Sequence, residues 1–130
     1  MERVILVVED ELAVCDMLAQ MLNELNYDTR LAATAAGAVE MAEDERPDAV
    51  LLDMNLPDAS GTLTLNILRS MRPDVPIIMV TANADEELAR ETLKRGAFDY
   101  VTKPFGMDRL SSVLDAALDT ASGRRPTARQ

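Results

Sequence analysis

The chain has 130 residues, 48% hydrophobic and 28% charged, with a mean hydropathy of −0.05, which fits one globular domain with a real core. Its net charge of −10 disfavours binding to nucleic acid phosphates, and one cysteine without histidine excludes an intrachain disulfide and nearly excludes zinc. No apolar run approaches the roughly 20 residues that span a bilayer, and the chain opens on a strand instead of a signal peptide, so we expect a cytoplasmic protein without a membrane partner.

In chain order, the first predicted element is a strand at residues 4–8, which are all apolar. A helix follows it, because apolar residues recur at helical spacing between positions 14 and 25. Residues 28–31 predict a weaker strand, short or near an edge of the sheet. Residues 34–45 predict a second helix, which Pro47 stops.

The second half of the chain repeats this alternation. Apolar runs at residues 49–52, 77–80 and 100–102 predict three more strands, and a helical pattern follows each of them. The last helix has the clearest pattern, with apolar residues at helical spacing from Leu110 to Ala121, and Gly123 is expected to end it.

The fourth helix has weaker signals than the fifth. Acidic residues at positions 85–87 suit a helix N-terminus, where negative charge is favourable. Leu88, Thr92 and Leu93 set its pattern, and Gly96 is expected to stop it.

The apolar runs are continuous and do not alternate with polar residues, which indicates strands covered on both faces of the sheet. Right-handed crossovers then give a doubly wound parallel α/β sheet with five strands and five helices. We predict one domain over residues 1–123, followed by a polar tail or linker stub at residues 124–130.

Three carboxylates stand where predicted strands end, the edge at which open parallel sheets bind ligands. Glu9 and Asp10 follow the first strand, and Asp53 follows the third. Helix capping could explain one of the first two acids, but three carboxylates at converging strand ends repel one another unless a cation lies among them. Oxygen ligands of this kind favour Mg²⁺.

Thr81 and Lys103 end the fourth and fifth strands. Pro104 restricts Lys103 to an extended backbone, which directs its ammonium into the same crevice. Thr81 could cap a helix or donate a hydrogen bond to an oxyanion. A carboxylate nucleophile, a divalent cation and a lysine meet the needs of an aspartyl phosphate. The glycine-free turn after the first strand is neither a P-loop nor a dinucleotide fingerprint.

Four segments, in this order, resemble the response-regulator receiver domain of two-component signalling. They are Val8–Glu11, Leu52–Pro57, Val80–Ala82 and Gly96–Phe105, and the resemblance covers about residues 3–121. It implies the chemotaxis-regulator-like, flavodoxin-like fold: a doubly wound parallel sheet in the order 2-1-3-4-5 with five helices.

The resemblance also implies roles for the site residues. Asp53 would accept a phosphoryl group from a phosphohistidine, and the domain would catalyse its own phosphorylation and dephosphorylation. Asp10, Asp53 and the backbone carbonyl of Asn55 would bind Mg²⁺, with Glu9 acting through water. Lys103 would pair with the phosphoryl group and precede a cis peptide bond.

Two further residues would carry the change outward. Thr81 would move toward the phosphoryl oxygen, and Tyr100 would turn inward behind it. The responsive face would be the fourth helix, fifth strand and fifth helix, roughly residues 84–121. The implied partners are a sensor histidine kinase or phosphotransfer protein, and an output domain or target protein at this face.

Two other functions stay open at this point. A haloacid-dehalogenase-like phosphohydrolase also uses a strand-end Asp, but it carries a second Asp two residues later, where this chain has Asn55. A phosphorylation-independent interaction module would be favoured by the loss of Asp10, Asp53 or Lys103, and all three are present.

The last third of the chain also separates subfamilies of the resemblance. Winged-helix transcription factors dimerise through an acid and two arginines of the fifth helix, where this chain offers Arg109, Val113 and Thr120. Asp99 is present without an obvious partner for such a dimer. The segment Phe98-Asp99-Tyr100 is more similar to that of receivers joined to other output domains, such as enhancer-binding regulators.

Overall fold

Five strands and five α-helices alternate along residues 2–121, the part of the chain that the computed structural model describes; Gly123 and the predicted tail lie outside it. Within residues 2–121, every helix is too short or too polar to cross a membrane. The elements are β1 (Val4–Val8), α1 (Leu12–Glu24), β2 (Asp28–Ala32), α2 (Ala35–Glu45), β3 (Ala49–Asp53), α3 (Gly61–Met71), β4 (Ile77–Ala82), a 3₁₀ turn (Asn83–Asp85), α4 (Glu86–Lys94), β5 (Asp99–Lys103) and α5 (Met107–Ala121).

The strands form one parallel sheet in the order β2-β1-β3-β4-β5. The weakly predicted strand β2 is an edge strand, as its pattern indicated. The chain order reverses between β1 and β3, which lie side by side with Val8 opposite Leu52. In open α/β sheets this switch point opens a crevice at the carboxyl ends of the strands, so Glu9, Asp10 and Asp53 lie at its mouth.

Alternate residues of each strand face opposite helical layers, because side chains of a strand alternate between faces. Both layers are apolar, so the prediction of a sheet covered on both sides is confirmed. One core joins Ile5, Val7, Leu51, Ile78 and Val80 to Leu18 and Leu22 of α1 and Leu110, Val113 and Leu114 of α5. The other joins Leu6, Val8, Val50, Leu52 and Met79 to Ala38 and Ala42 of α2 and Leu65 and Leu68 of α3.

Helix α4 packs on the sheet through small side chains. Ala89 and Thr92 are fully buried, whereas Leu88 and Leu93 are 48% and 39% exposed. The α4 helix therefore lies close to the sheet, and its larger apolar side chains face outward.

Arginine contacts join the end of α3 to the end of α2. Helix α2 ends at Glu45, and the next residue, Arg46, has a left-handed backbone with φ of 48°. Arg72, which follows α3, donates from Nε to the carbonyl of Ala42 and from Nη2 to the carbonyl of Glu43, both at 3.0 Å. Carbonyls near a helix C-terminus lack partners in their own helix, so Arg72 supplies donors to them from the neighbouring helix.

Candidate functional site

Three carboxylates meet at the carboxyl edge of the sheet. One side-chain oxygen from each of Glu9, Asp10 and Asp53 lies within 4.8 Å of the others. Glu9 and Asp53 are buried, with 2% and 8% exposure, whereas Asp10 is exposed. The cluster is therefore open to solvent on one side, and the three acids predicted to converge do converge.

The loop between β3 and α3 is closed on itself directly after Asp53. Asn55 and Ser60 form an isolated antiparallel bridge, and the backbone N–H of Gly61 donates to the Met54 carbonyl at 2.7 Å. A Cβ atom at Gly61 would lie 2.7 Å from the Cα of Met54. Glycine at this position therefore permits the close approach of the two chain segments that shapes the loop.

Asn55 contacts two sides of the site. Its backbone N–H donates to the Asp53 carboxylate, and its side-chain Nδ2 donates to Oδ2 of Asp85 at 3.2 Å. Asp85 belongs to the turn that begins α4. The loop after β3 is thereby joined to both the central carboxylate and the start of α4, while metal binding by the Asn55 carbonyl stays a prediction.

Lys103 brings a cation to the acids. Its Nζ lies 3.4 Å from Oε1 of Glu9 and 3.8 Å from Oδ1 of Asp53. The peptide bond between Lys103 and Pro104 is cis, as the resemblance implied. Because β5 lies beyond β4 in the sheet, Lys103 reaches the carboxylates from the far side of β4, although 94 residues separate it from Glu9.

The charge balance of the cluster favours a cation. Burial raises the pKa of Asp53 to about 6, and the Glu9 carboxylate adds to the rise, while Lys103 and the Asn55 N–H oppose it. The ionised Asp53 is thus held at an energetic cost that an additional positive charge would relieve. A set of carboxylate oxygens open to water fits Mg²⁺, a hard cation that keeps some of its waters.

Thr81 and Tyr100, the two predicted switch residues, lie on neighbouring strands. Thr81 is 1% exposed and its hydroxyl donates to the carbonyl of Ala82 at 3.2 Å, which disfavours the helix-cap interpretation. Tyr100 is half-buried, and its hydroxyl donates to Oε2 of Glu86 at 2.9 Å. The structure therefore joins the tyrosine hydroxyl to α4, and the acids and Lys103 form a separate group.

Asp99 has a partner within the chain, a contact separate from the dimer pairing for which the sequence offered none. Nη2 of Arg109 lies 3.5 Å from Oδ2 of Asp99 and also donates to the Tyr100 carbonyl at 2.8 Å. The cause is the turn after β5, which returns the first turn of α5 to the strand. Spacing along the sequence does not show this contact, because the two residues lie on different elements.

The sequence did not predict two residues near the site that form hydrogen bonds between separate elements. Glu86 is the hydrogen-bond partner of Tyr100, and Asp58 accepts hydrogen bonds from the backbone N–H groups of Ala35 and Ala36. Asp58 follows Pro57 in a loop, a position typical of residues that bond to backbone groups. The loop position thus indicated a hydrogen bond to the backbone. It did not indicate the partner, because helix α2 lies more than 20 residues earlier in the sequence.

Comparisons with known protein sequences all match the same family. The sequence model of the response regulator receiver domain matches residues 5–115. The chain is 37% identical over 121 residues to the regulatory protein AtoC of Escherichia coli, covering 93% of this chain and 26% of AtoC. It is 40% identical over 114 residues to the transcriptional regulatory protein KdpE of Mycobacterium tuberculosis, covering 88% of this chain and 50% of KdpE.

Solved structures agree with the sequence comparison. The CheY-like receiver domain protein of Methanospirillum hungatei superposes with a TM-score of 0.89 at 32% identity, covering 96% of this chain and all of that one. The receiver domain of NtrX from Brucella abortus gives 0.86 at 35% identity, covering 89% and 98%. The chain spans about a quarter to a half of the length of the AtoC and KdpE proteins. With the same sheet order and the matched sequence, the chain belongs to the response regulator receiver domain family, the phosphoacceptor domains of two-component signalling.

Proposed function

We propose that Asp53 is the residue that accepts the phosphoryl group. Its carboxylate oxygen attacks the phosphorus of a phosphohistidine on a sensor histidine kinase or phosphotransfer protein, the P–N bond breaks, and the imidazole leaves. The observation that carries this proposal is the position of Asp53: a buried carboxylate at the end of β3, with Lys103 3.8 Å away and two further acids beside it.

The acidic cluster would hold Mg²⁺ through Asp10, Asp53 and the backbone carbonyl of Asn55, with Glu9 acting through water. The ion would neutralise charge that develops on the transferred group. Glu9 is buried and its Oε2 accepts from the N–H of Glu11 at 3.2 Å, so its carboxylate has a fixed position. Glu9 therefore helps to keep the cluster negative before the cation arrives.

Lys103 and Thr81 would bind the phosphoryl oxygens of the product. The Lys103 ammonium is already beside Asp53, where it can pair with a phosphoryl oxygen. The Thr81 hydroxyl, which bonds the Ala82 carbonyl, would rotate toward the phosphoryl group. Electrostatic stabilisation of this kind also assists hydrolysis, so the domain would promote its own dephosphorylation.

Tyr100 would couple phosphorylation of Asp53 to the surface that partners bind. With Thr81 moved, Tyr100 would leave Glu86 and turn inward, and the responsive face over roughly residues 84–121 would change shape. This face would bind an output domain or a target protein. We propose a receiver domain over residues 1–123 in the cytoplasm, with residues 124–130 as a tail or linker stub.

Mass spectrometry of the intact protein tests the acceptor directly. Incubation with a small phosphodonor and Mg²⁺ is expected to add about 80 Da, the mass of one phosphoryl group, and Asp53→Asn abolishes the addition. Asp48→Asn, which changes a carboxylate directly before the start of β3, is the matched control and is expected to be phosphorylated like the wild type. Phosphorylation retained in Asp53→Asn would overturn the assignment.

A further inference from the structure

We infer that Asp58 is a positioning residue: it anchors the loop between β3 and α3 to the N-terminus of α2 and thereby sets the affinity of the acidic cluster for Mg²⁺. The inference rests on the proposed metal site and deepens it. Asp58 lies outside that site and touches neither the metal cluster nor the phosphoryl group. It acts through the loop that carries Asn55.

The anchor consists of two hydrogen bonds, one to each carboxylate oxygen. Oδ1 of Asp58 accepts from the N–H of Ala35 at 2.8 Å, and Oδ2 accepts from the N–H of Ala36 at 3.1 Å. These two N–H groups begin helix α2 and have no acceptor within their own helix. The positive end of the helix dipole also attracts the carboxylate, and the two bonds lower the pKa of Asp58, so it is ionised at neutral pH.

The contact does more than cap a helix, because α2 already has its own cap. The Thr34 hydroxyl oxygen accepts from the N–H of Gly37 at 2.9 Å. Asp58 comes from a different segment, 22 to 23 residues farther along the chain. Without Asp58 the helix keeps the Thr34 cap, whereas the loop loses a bond from its outer half to a neighbouring element.

The contacts described above, between Asn55 and Ser60 and between Gly61 and Met54, close the base of the loop. Pro57 and Asp58, at its outer end, are exposed. Asp58 therefore restrains the part of the loop that the base contacts do not reach. Because Ser60, the bridge partner of Asn55, follows Asp58 in the same loop, we expect a shift of the outer end to displace the Asn55 carbonyl beside Asp53.

The anchor also joins the two sides of the acidic cluster. Helix α2 follows β2, whose last residue, Ala32, accepts from the N–H of Glu9 at 2.9 Å. Asp58 thus links the segment hydrogen-bonded to Glu9 with the loop that follows Asp53. Residues that orient metal ligands from outside the coordination sphere commonly change metal affinity by an order of magnitude or more.

Mg²⁺ titration of three variants tests the inference. Asp58→Ala removes both acceptors and is expected to raise the Kd for Mg²⁺ roughly 10-fold. Asp58→Asn keeps one acceptor oxygen and is expected to give an intermediate Kd. Thr34→Ala is the matched control: it removes the other cap of the same helix, and is expected to lower stability similarly while leaving the Kd unchanged.

Amide hydrogen exchange in metal-free protein supplies a second readout. Asp58→Ala is expected to speed exchange at residues 54–60, and Thr34→Ala to speed exchange only in α2. An unchanged Kd in Asp58→Ala, or an equal rise in Thr34→Ala, overturns the inference and reduces Asp58 to a helix cap. If Asp58→Ala fails to fold, Asp58→Asn decides by the same criteria.

The outcome is separable from that of the proposed function. Neither readout uses a phosphodonor, so an unchanged Kd in Asp58→Ala together with normal phosphorylation at Asp53 contradicts only the anchor. Conversely, a wild-type chain that binds Mg²⁺ but is not phosphorylated contradicts the acceptor, and the comparison of Asp58 and Thr34 variants still decides the anchor.

Discussion

The Lys103 ammonium is closer to Glu9 than to Asp53, at 3.4 Å against 3.8 Å. Glu9 is nearly inaccessible to solvent, while the Lys103 side chain is 29% exposed. The lysine is therefore held by Glu9, which would not be phosphorylated, and lies beside Asp53, the proposed phosphoacceptor. In the absence of a metal ion, it offsets part of the negative charge of the cluster.

Removing a positive charge beside Asp53 and removing a negative one are expected to shift the pKa of Asp53 in opposite directions. Lys103→Met removes the ammonium that lowers this pKa, so the value rises above about 6, whereas Glu9→Gln removes a carboxylate that raises it, so the value falls. Carboxyl NMR titration in a chelating buffer measures both. Lys94→Met, a change at an exposed lysine of α4, is the control, and shifts in the same direction for the first two variants would contradict the charge balance described.

Asp53→Asn is expected to stabilise the metal-free protein at high pH. The pKa of Asp53 is 3.8 in ordinary surroundings and about 6 in the folded protein, so the folded state binds a proton more readily between these values. The contribution of Asp53 to the stability of the wild type therefore falls as pH rises through this window. At pH 8 the variant gains on the order of 1–3 kcal/mol, and at pH 5 the gain is smaller.

Urea unfolding of both proteins at pH 8 and pH 5, with a chelator present, measures this difference. A variant that is less stable than the wild type at pH 8 would contradict the expected sign. An equal difference at both pH values would show that the gain does not come from ionisation of Asp53.

Gly61→Ala is expected to destabilise the fold by about 1–3 kcal/mol, since the added Cβ would meet the Met54 backbone at 2.7 Å. Backbone atoms cannot move aside as the end of a long side chain can. Gly106→Ala is the matched control, because a Cβ at Gly106 meets nothing within 4 Å in the described structure, and its effect should stay within about 0.5 kcal/mol. Equal unfolding midpoints in urea would contradict the close approach.

The hydrogen bond from Tyr100 to Glu86 is expected to show a coupling on the order of 1 kcal/mol in the free energy of unfolding. A double-mutant cycle with Tyr100→Phe and Glu86→Ala measures it. The same cycle with Arg90→Ala in place of Tyr100→Phe is the control. Arg90 is exposed and lies 3.8 Å from Glu86, so its coupling energy should be close to zero. A coupling of Glu86 with Arg90 that exceeds its coupling with Tyr100 would contradict the prediction.

The strands and the residues at their ends could be predicted from the sequence. Apolar runs identified four of the five strands. The residues at their ends, Asp53 and Lys103 among them, meet at one edge because parallel strands share a direction. Their common position is a property of the fold class and not of any single contact. The order of the strands came from the family resemblance.

Contacts between separate elements could not be predicted in the same way. The predicted pattern of α4 was Leu88, Thr92 and Leu93. Of these only Thr92 is buried, together with Ala89, because close packing on the sheet selects small side chains. The pairing of Asp99 with Arg109 likewise depends on how the chain turns after β5. Packing geometry of this kind has no periodic signal in the sequence.

Arg72 joins α3 to α2 through the carbonyls of Ala42 and Glu43, which are main-chain atoms. Every amino acid carries the same carbonyl, so the acceptors persist whatever side chains occupy positions 42 and 43. The side chain of Glu43 is thus free to vary without loosening the two helices, while substitution of Arg72 removes both bonds at once. Exchange of the exposed surface of α2 between related proteins is therefore compatible with this fold as long as the arginine is retained.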